Sequence, residues 1–217
     1  MTGRRLARIV GGLIVLAVLA DPVVGQERVW TPGTDWTWSV RRDDGAGGDP
    51  IRIESDSGGW TLSTGASSIL FRDGETLVPP YRIEVDFEGT DPMRRNEGYG
   101  IVFGGRDLGG PGQAYGYVLI RQDGMLLVKR RDGDETFVVE DWSRVESLRA
   151  WADRESGADT VRNRLAIVVG DDRVRVEVNG VEVVDVPTGA IPVDGMVGLR
   201  VNHGLRIGVT GVRMSGG

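Results

Sequence analysis

Polar and apolar residues alternate strictly over residues 81–88, Tyr-Arg-Ile-Glu-Val-Asp-Phe-Glu. Tyr81, Ile83, Val85 and Phe87 fall on one face, and Arg82, Glu84, Asp86 and Glu88 on the other. A period of two predicts an antiparallel strand with one face buried and one in water. Residues 173–186 hold a second unit: Val174, Val176 and Val178 alternate with Arg173, Arg175 and Glu177 and run into Asn179-Gly180. Asn-Gly accepts two positive φ values and predicts a tight hairpin. With a two-residue loop, Val178 opposes Val181, Val176 opposes Val183 and Glu177 opposes Glu182, and like charges face each other only on a solvated surface.

Further strands are predicted over 37–40, 51–55, 59–63, 67–71, 99–104, 114–121, 125–131, 136–140, 164–169 and 196–202. The last is 205–214, where Leu205, Ile207 and Val209 share a face that Val212 and Met214 resume one residue late. Gly211 marks the expected β-bulge. One helix of two or three turns is expected from Ser143-Arg144-Val145-Glu146, a capping-box pattern, with Val145, Leu148 and Trp151 or Ala152 at helical spacing. Many short strands, Gly-rich turns and no alternating helices predict an all-β fold, a two-sheet antiparallel β-sandwich spanning residues 26–217 as one domain.

Composition narrows the chemistry. The 217 residues contain no cysteine, which excludes disulfides, thiolate metal sites, a cysteine nucleophile and a lipid-modified N-terminal cysteine. Of 26 basic residues only Lys129 is lysine. The net charge of −6 argues against nucleic acid as a partner, since a duplex binder needs a basic surface. Arg4, Arg5 and Arg8 precede an apolar run over residues 9–20, too short to span a bilayer comfortably. Val23-Val24-Gly25 then supplies a cleavage site, with a second after Ala20. Residues 1–25 therefore read as an export signal, and the mature chain, without a membrane span, as periplasmic or extracellular.

The order of features from Tyr81 onward carries a resemblance. Residues 97–105 read Glu-Gly-Tyr-Gly-Ile-Val-Phe-Gly-Gly, 115–121 Tyr-Gly-Tyr-Val-Leu-Ile-Arg and 125–131 Met-Leu-Leu-Val-Lys-Arg-Arg. Asn-Arg-Leu-Ala-Ile-Val-Val follows at 163–169, the Asn-Gly hairpin at 176–183 and Gly-Met-Val-Gly-Leu-Arg-Val at 195–201. Over about two-thirds of the chain this resembles a concanavalin A-like or laminin-G-like jelly roll. Within that class it is similar to the domain of exported bacterial proteins grouped with 3-keto-disaccharide hydrolases. The resemblance implies a jelly roll and leaves three functions open: a non-catalytic carbohydrate- or surface-binding module, a glycoside-cleaving enzyme, and a structural module of an envelope assembly.

Candidate residues follow from these options. Glu84, Asp86 and Glu88 resemble the Glu-x-Asp-x-Glu strand of laminarinase-type glycoside hydrolases, with one carboxylate as nucleophile, one as acid/base and Asp86 between them. The motif stands on the framework strand rather than the later cleft strands, so no residue is assigned as catalytic. The Gly-rich loop at 104–115 is the candidate ligand site. Arg106, Asp107 and Gln113 offer hydrogen bonds to sugar hydroxyls, Tyr115 and Tyr117 offer rings, and Arg121 follows. A glycan or polysaccharide is the candidate partner; whether there is a protein partner is left open. No cofactor is expected; oxygen-rich loops such as Thr90-Asp91-Pro92 with Asn96 and Glu97 would suit Ca²⁺. His203, the lone histidine, lies in an expected hairpin turn and predicts neither zinc nor a serine triad. The tryptophans are expected to be packing residues.

Overall fold

The computed structural model describes residues 27–32, 37–42, 51–90 and 96–216. The expected export signal lies outside them. In chain order the described strands are β1 (Arg28–Trp30), β2 (Ser39–Arg42), β3 (Arg52–Asp56), β4 (Gly59–Ser63) and β5 (Ser68–Leu77). Then come β6 (Tyr81–Gly89), β7 (Tyr99–Arg106), β8 (Ala114–Ile120), β9 (Met125–Asp132) and β10 (Glu135–Arg144). The last five are β11 (Val161–Val169), β12 (Arg173–Val178), β13 (Val181–Pro187), β14 (Gly195–Val201) and β15 (Arg206–Gly216).

These strands form two antiparallel sheets. An eight-stranded sheet runs β13-β12-β11-β6-β15-β4-β3, with β1 also paired to β15. A seven-stranded sheet runs β10-β9-β8-β7-β14-β5-β2. The alternation that defines β6 is realised residue by residue: Tyr81, Ile83, Val85 and Phe87 are buried and the charged residues between them half-buried. Their inner face meets Ile101 and Phe103 of β7, Val118 of β8 and Leu199 of β14 in one core cluster. Phe87 and Tyr99 close the layers edge to face, with ring centroids 5.2 Å apart. Each such fully buried side chain contributes about 1.5–3 kcal/mol. At one end Trp38 packs edge-on between Trp30 and Trp60, centroids 5.4 and 5.6 Å away.

The Asn-Gly turn forms as expected, with φ of 52° at Asn179 and 82° at Gly180, and pairs Val178 with Val181 and Glu177 with Glu182. Beyond it a bulge intervenes, so Val176 faces Val184 rather than Val183. In β15 the register against β6 slips between Val209 and Gly211, at the expected bulge.

Two further expectations are corrected. The segment 143–152 is not a helix: β10 extends through Ser143 and Arg144, which pair with Leu126 and Met125, and only a 3-10 turn, Trp151–Asp153, follows. Val145, Leu148 and Ala150 are nonetheless buried, because this coil caps the end of the sandwich. His203 is not in a hairpin, since its turn carries the chain from β14 in one sheet to β15 in the other.

Candidate functional site

The outer faces of the two sheets differ in chemistry. On the eight-stranded sheet the motif Glu84, Asp86 and Glu88 stands in an ion-pair lattice. Arg213 donates to Glu84 Oε1 from Nε at 3.0 Å and Nη2 at 2.7 Å, and its Nη2 also reaches Asp86 Oδ2 at 2.6 Å. Arg82 Nη2 bridges Glu84 and Glu177, at 3.0 and 2.8 Å. Arg164 Nε binds Asp86 at 2.8 Å, and Arg162 Nε binds Glu88 at 3.0 Å. Partial burial alone would raise the Glu84 and Asp86 carboxyls. Hydrogen bonds and charge from Arg213, Arg82 and Arg164 outweigh it and hold both below their usual values. At about 3.3 Å per residue the Cα atoms of Glu84 and Glu88 stand about 13 Å apart, and their carboxylates are drawn to different arginines. A glycosidase acid must hold a proton near neutral pH, and the Glu84 and Asp86 carboxyls are poised the opposite way. A groove of about 570 Å³ crosses this face between Arg82 and Arg149, walled by Asn163 and Asn179.

The seven-stranded sheet carries a second, separate apolar cluster on its outer face. Directly paired residues of neighbouring strands point the same way, so register defines rows across the sheet. One row reads Ser39, Phe71, Gly198, Val102, Tyr117, Lys129 and Val138. The next reads Arg41, Ile69, Arg200, Gly100, Leu119 and Leu127. A third pairs Tyr115 with Arg131 and Thr136. No Asp or Glu stands in these rows. A Cβ at Gly100 would meet Val118 O at 1.9 Å, and one at Gly198 would meet Leu70 O at 2.4 Å, so glycine alone lets these strands approach.

The Gly-rich loop at 104–115 folds back over this face. Leu108 is wholly buried in the outer cluster, and Arg41 Nη1, from the far edge strand, donates to Gly110 O at 2.5 Å. Asp107 takes φ of 46°, and its Oδ2 accepts from Gly112 N at 2.9 Å, so its carboxylate is spent on the turn. Gln113 is 0% exposed, and neither of its side-chain polar atoms finds a hydrogen bond among the described residues. Arg106 is exposed and makes no ion pair among the described residues.

Val118 and Ile120 point to the core, which puts Tyr115 and Tyr117 on the outer face, yet they are 0% and 4% exposed. They do not present open rings; they form the floor. Arg200 lies over it, its Cζ 4.9 Å from the Tyr117 centroid and its Nη1 3.1 Å from Tyr115 Oη. Arg121 is clasped by Asp123 and sits 4.4 Å above the Trp142 ring. The face therefore gathers Tyr115, Tyr117 and Arg121 from the expected set, leaves Arg106 outward, and adds Arg41, Lys129, Arg131 and Arg200. Strand parity was the signal for the last three: Arg200 shares a face with Met196 and Gly198, and Lys129 and Arg131 with Leu127.

Ser67, His203 and Glu97 meet, but Ser67 Oγ lies nearer Nδ1 of His203, at 3.0 Å, than Nε2, at 3.5 Å, and Glu97 Oε1 approaches the same Nδ1 at 3.7 Å. A triad needs nucleophile and acid on opposite nitrogens. Most of the oxygen-rich loop, residues 91–95, lies outside the described residues. Among the described residues no three His, Asp or Glu gather to hold a metal.

No family model matches the chain, and no curated protein does. Solved structures do. Carbohydrate-binding module 66 from Bacillus subtilis is 12% identical with a TM-score of 0.58, over 82% of this chain and 94% of that one. A Bacillus subtilis protein of unknown function with a galectin-like fold is 13% identical with a TM-score of 0.60, over 82% and 88%. The carbohydrate recognition domain of Emp46p, potassium-bound, is 11% identical with a TM-score of 0.57, over 83% and 88%. The fold is that of the concanavalin A-like and galectin-like jelly rolls. In this jelly roll the ion-pair lattice covers one outer face and the arginine-topped aromatic floor the other.

Proposed function

We propose that the chain is an exported, non-catalytic carbohydrate-binding module that takes its glycan on the outer face of the seven-stranded sheet. The observation that carries this is the aromatic floor of Tyr115, Tyr117 and Trp142 beneath hydrogen-bonding heads, beside a loop folded onto the same face. Sugar sites combine an apolar surface with a few fixed polar groups. Support comes from the similar jelly rolls, which include a carbohydrate-binding module and a carbohydrate recognition domain.

A polysaccharide panel run by affinity electrophoresis tests the reading. Arg200→Ala should abolish retardation while Arg162→Ala, on the other sheet, keeps it. Absence of binding to every glycan, or the reverse pattern of the two variants, overturns it. The likeness to 3-keto-disaccharide hydrolase domains rests on strand order, and the ionised state of Glu84 and Asp86 disfavours cleavage through that trio. Hydrolysis by the wild type that Glu84→Gln and Glu88→Gln abolish would restore it. A stable protein partner recovered from native envelope would favour the structural-module reading. Export is part of the proposal, carried by Arg4, Arg5, Arg8 and the apolar run after them. An N-terminus at residue 1 in protein recovered from the medium or periplasm would refute cleavage.

A further inference from the structure

We infer that residues 107–112 form a lid, shut in this structure, and that a glycan gains the face only when the lid leaves it and frees the Gln113 amide for sugar hydroxyls. The inference rests on the proposed carbohydrate-binding reading. Tyr115 and Tyr117 are 0% and 4% exposed, so a pyranose cannot lie on either ring as they stand. Leu108 is buried in the same cluster. The segment extends far enough over the sheet for Arg41 Nη1 to donate to Leu108 O at 3.4 Å and Gly110 O at 2.5 Å. It leaves from β7, and Arg41 stands on β2, three strands or about 14 Å across the sheet.

Both ends of the segment are anchored. Gly104 takes φ of 59°, and a Cβ there would meet Pro192 O at 2.3 Å, which ties this end to the connection before β14. At the other end Gln113 O accepts from Gly133 N at 2.8 Å, which continues the β8–β9 ladder past Ala114. Between the anchors Gly105, Gly109, Gly110 and Gly112 give the backbone freedom to change course. The Leu108 side chain and the two carbonyl bonds to Arg41 are the latches.

The shut lid leaves polar groups unsatisfied beneath it. By strand parity Gln113 points the same way as Tyr115 and Tyr117. It is wholly buried, and its Oε1 and Nε2 find no hydrogen bond among the described residues. Arg41 Nε is buried and unbonded in the same way. Buried polar groups without partners are costly and rare, and opening returns both to water or to a ligand. A primary amide offers donors and an acceptor on one rigid head, a pair that suits neighbouring sugar hydroxyls. Apparent affinity is then lowered by the fraction of molecules whose lid is open.

The chain has four tyrosines, all buried, and they give a test that needs no glycan. Leu108→Ala should open Tyr115 and Tyr117 to nitration by tetranitromethane, read by peptide mass, while Tyr81 and Tyr99 in the core between the sheets stay protected. Protection as in wild type, or loss at all four together, overturns the lid. The second arm is affinity electrophoresis in dextran, xylan, laminarin and polygalacturonate. Leu108→Ala should tighten binding by roughly three- to thirtyfold, the factor by which the open population rises. Gln113→Leu, which rids the shut form of its unpaired amide and the open form of its sugar contact, should weaken binding by roughly tenfold. Wild-type binding that Leu108→Ala leaves equal or weaker overturns the inference and leaves the carbohydrate reading standing. No retardation of either protein by any of the four polymers overturns both.

Discussion

Glu84→Gln keeps the side-chain shape and removes one charge from the centre of the ion-pair lattice. Glu84 is 16% exposed and faces Arg82, Arg164 and Arg213, whose side chains are 31%, 50% and 30% exposed. Pairs this accessible to water are each worth about 0.2–1 kcal/mol, so the three together should cost about 1–2 kcal/mol at pH 7. For a chain of this size that lowers Tm by about 2–8 °C. The pH dependence gives the sharper check. The folded Glu84 carboxyl lies below its ordinary 4.5, so its contribution is full above that value and is lost as pH falls through the depressed folded one. Below it the wild type is itself neutral at this position. Thermal melts of wild type and variant from pH 7 to pH 3 should therefore converge in acid. A variant as stable as wild type at pH 7, or a gap that stays constant down to pH 3, would show that the lattice does not stabilise the fold through charge.

Asn179→Ala should cost about 2–3 kcal/mol in denaturant titration, because it strains a positive φ and removes bonds from Nδ2 to Ser147 O and Asn163 Oδ1. Asn179→Gly, relieving only the strain, should recover about 1 kcal/mol; no recovery would assign the whole cost to the side chain. Leu108→Ala should destabilise by about 2 kcal/mol, at the low end for a buried leucine, and speed amide exchange across residues 107–113. Unchanged exchange there would mean that Leu108 does not pin the loop to the sheet.

Local pattern was informative where one face of a strand meets the core and the other meets water. The alternation in β6, the Asn-Gly turn and the late resumption at Val212 each follow from a period of two, and all three are realised. The Val145, Leu148, Trp151 spacing misled because coil wrapped over the end of a sandwich also buries every third or fourth residue, while the pairing of Ser143 with Leu126 and of Arg144 with Met125 is decided 17 and 19 residues away. The candidate site was half legible. Tyr115, Tyr117 and Arg121 lie within one stretch of sequence, but Arg41 and Arg200 reach the same face from strands 74 and 85 residues from Tyr115, brought there only by sheet register. Nor does composition show that Arg200 roofs a tyrosine whereas Arg213 neutralises a carboxylate; that depends on which sheet each strand joins.

The positions of β14 and β15 have a consequence for how the molecule comes into being. Although they are the last strands, each sits inside its sheet, β14 between β7 and β5 and β15 between β6 and β4. Without them the eight-stranded sheet falls into β13-β12-β11-β6, β4-β3 and β1 alone, and the seven-stranded sheet into two pieces, with β5-β2 detached. A ribosome making this chain in order cannot close both sheets until the crossing from β14 to β15 has emerged, and every joining contact is then a long-range one that forms slowly. The sandwich thus stays open until β14 and β15 have both been made.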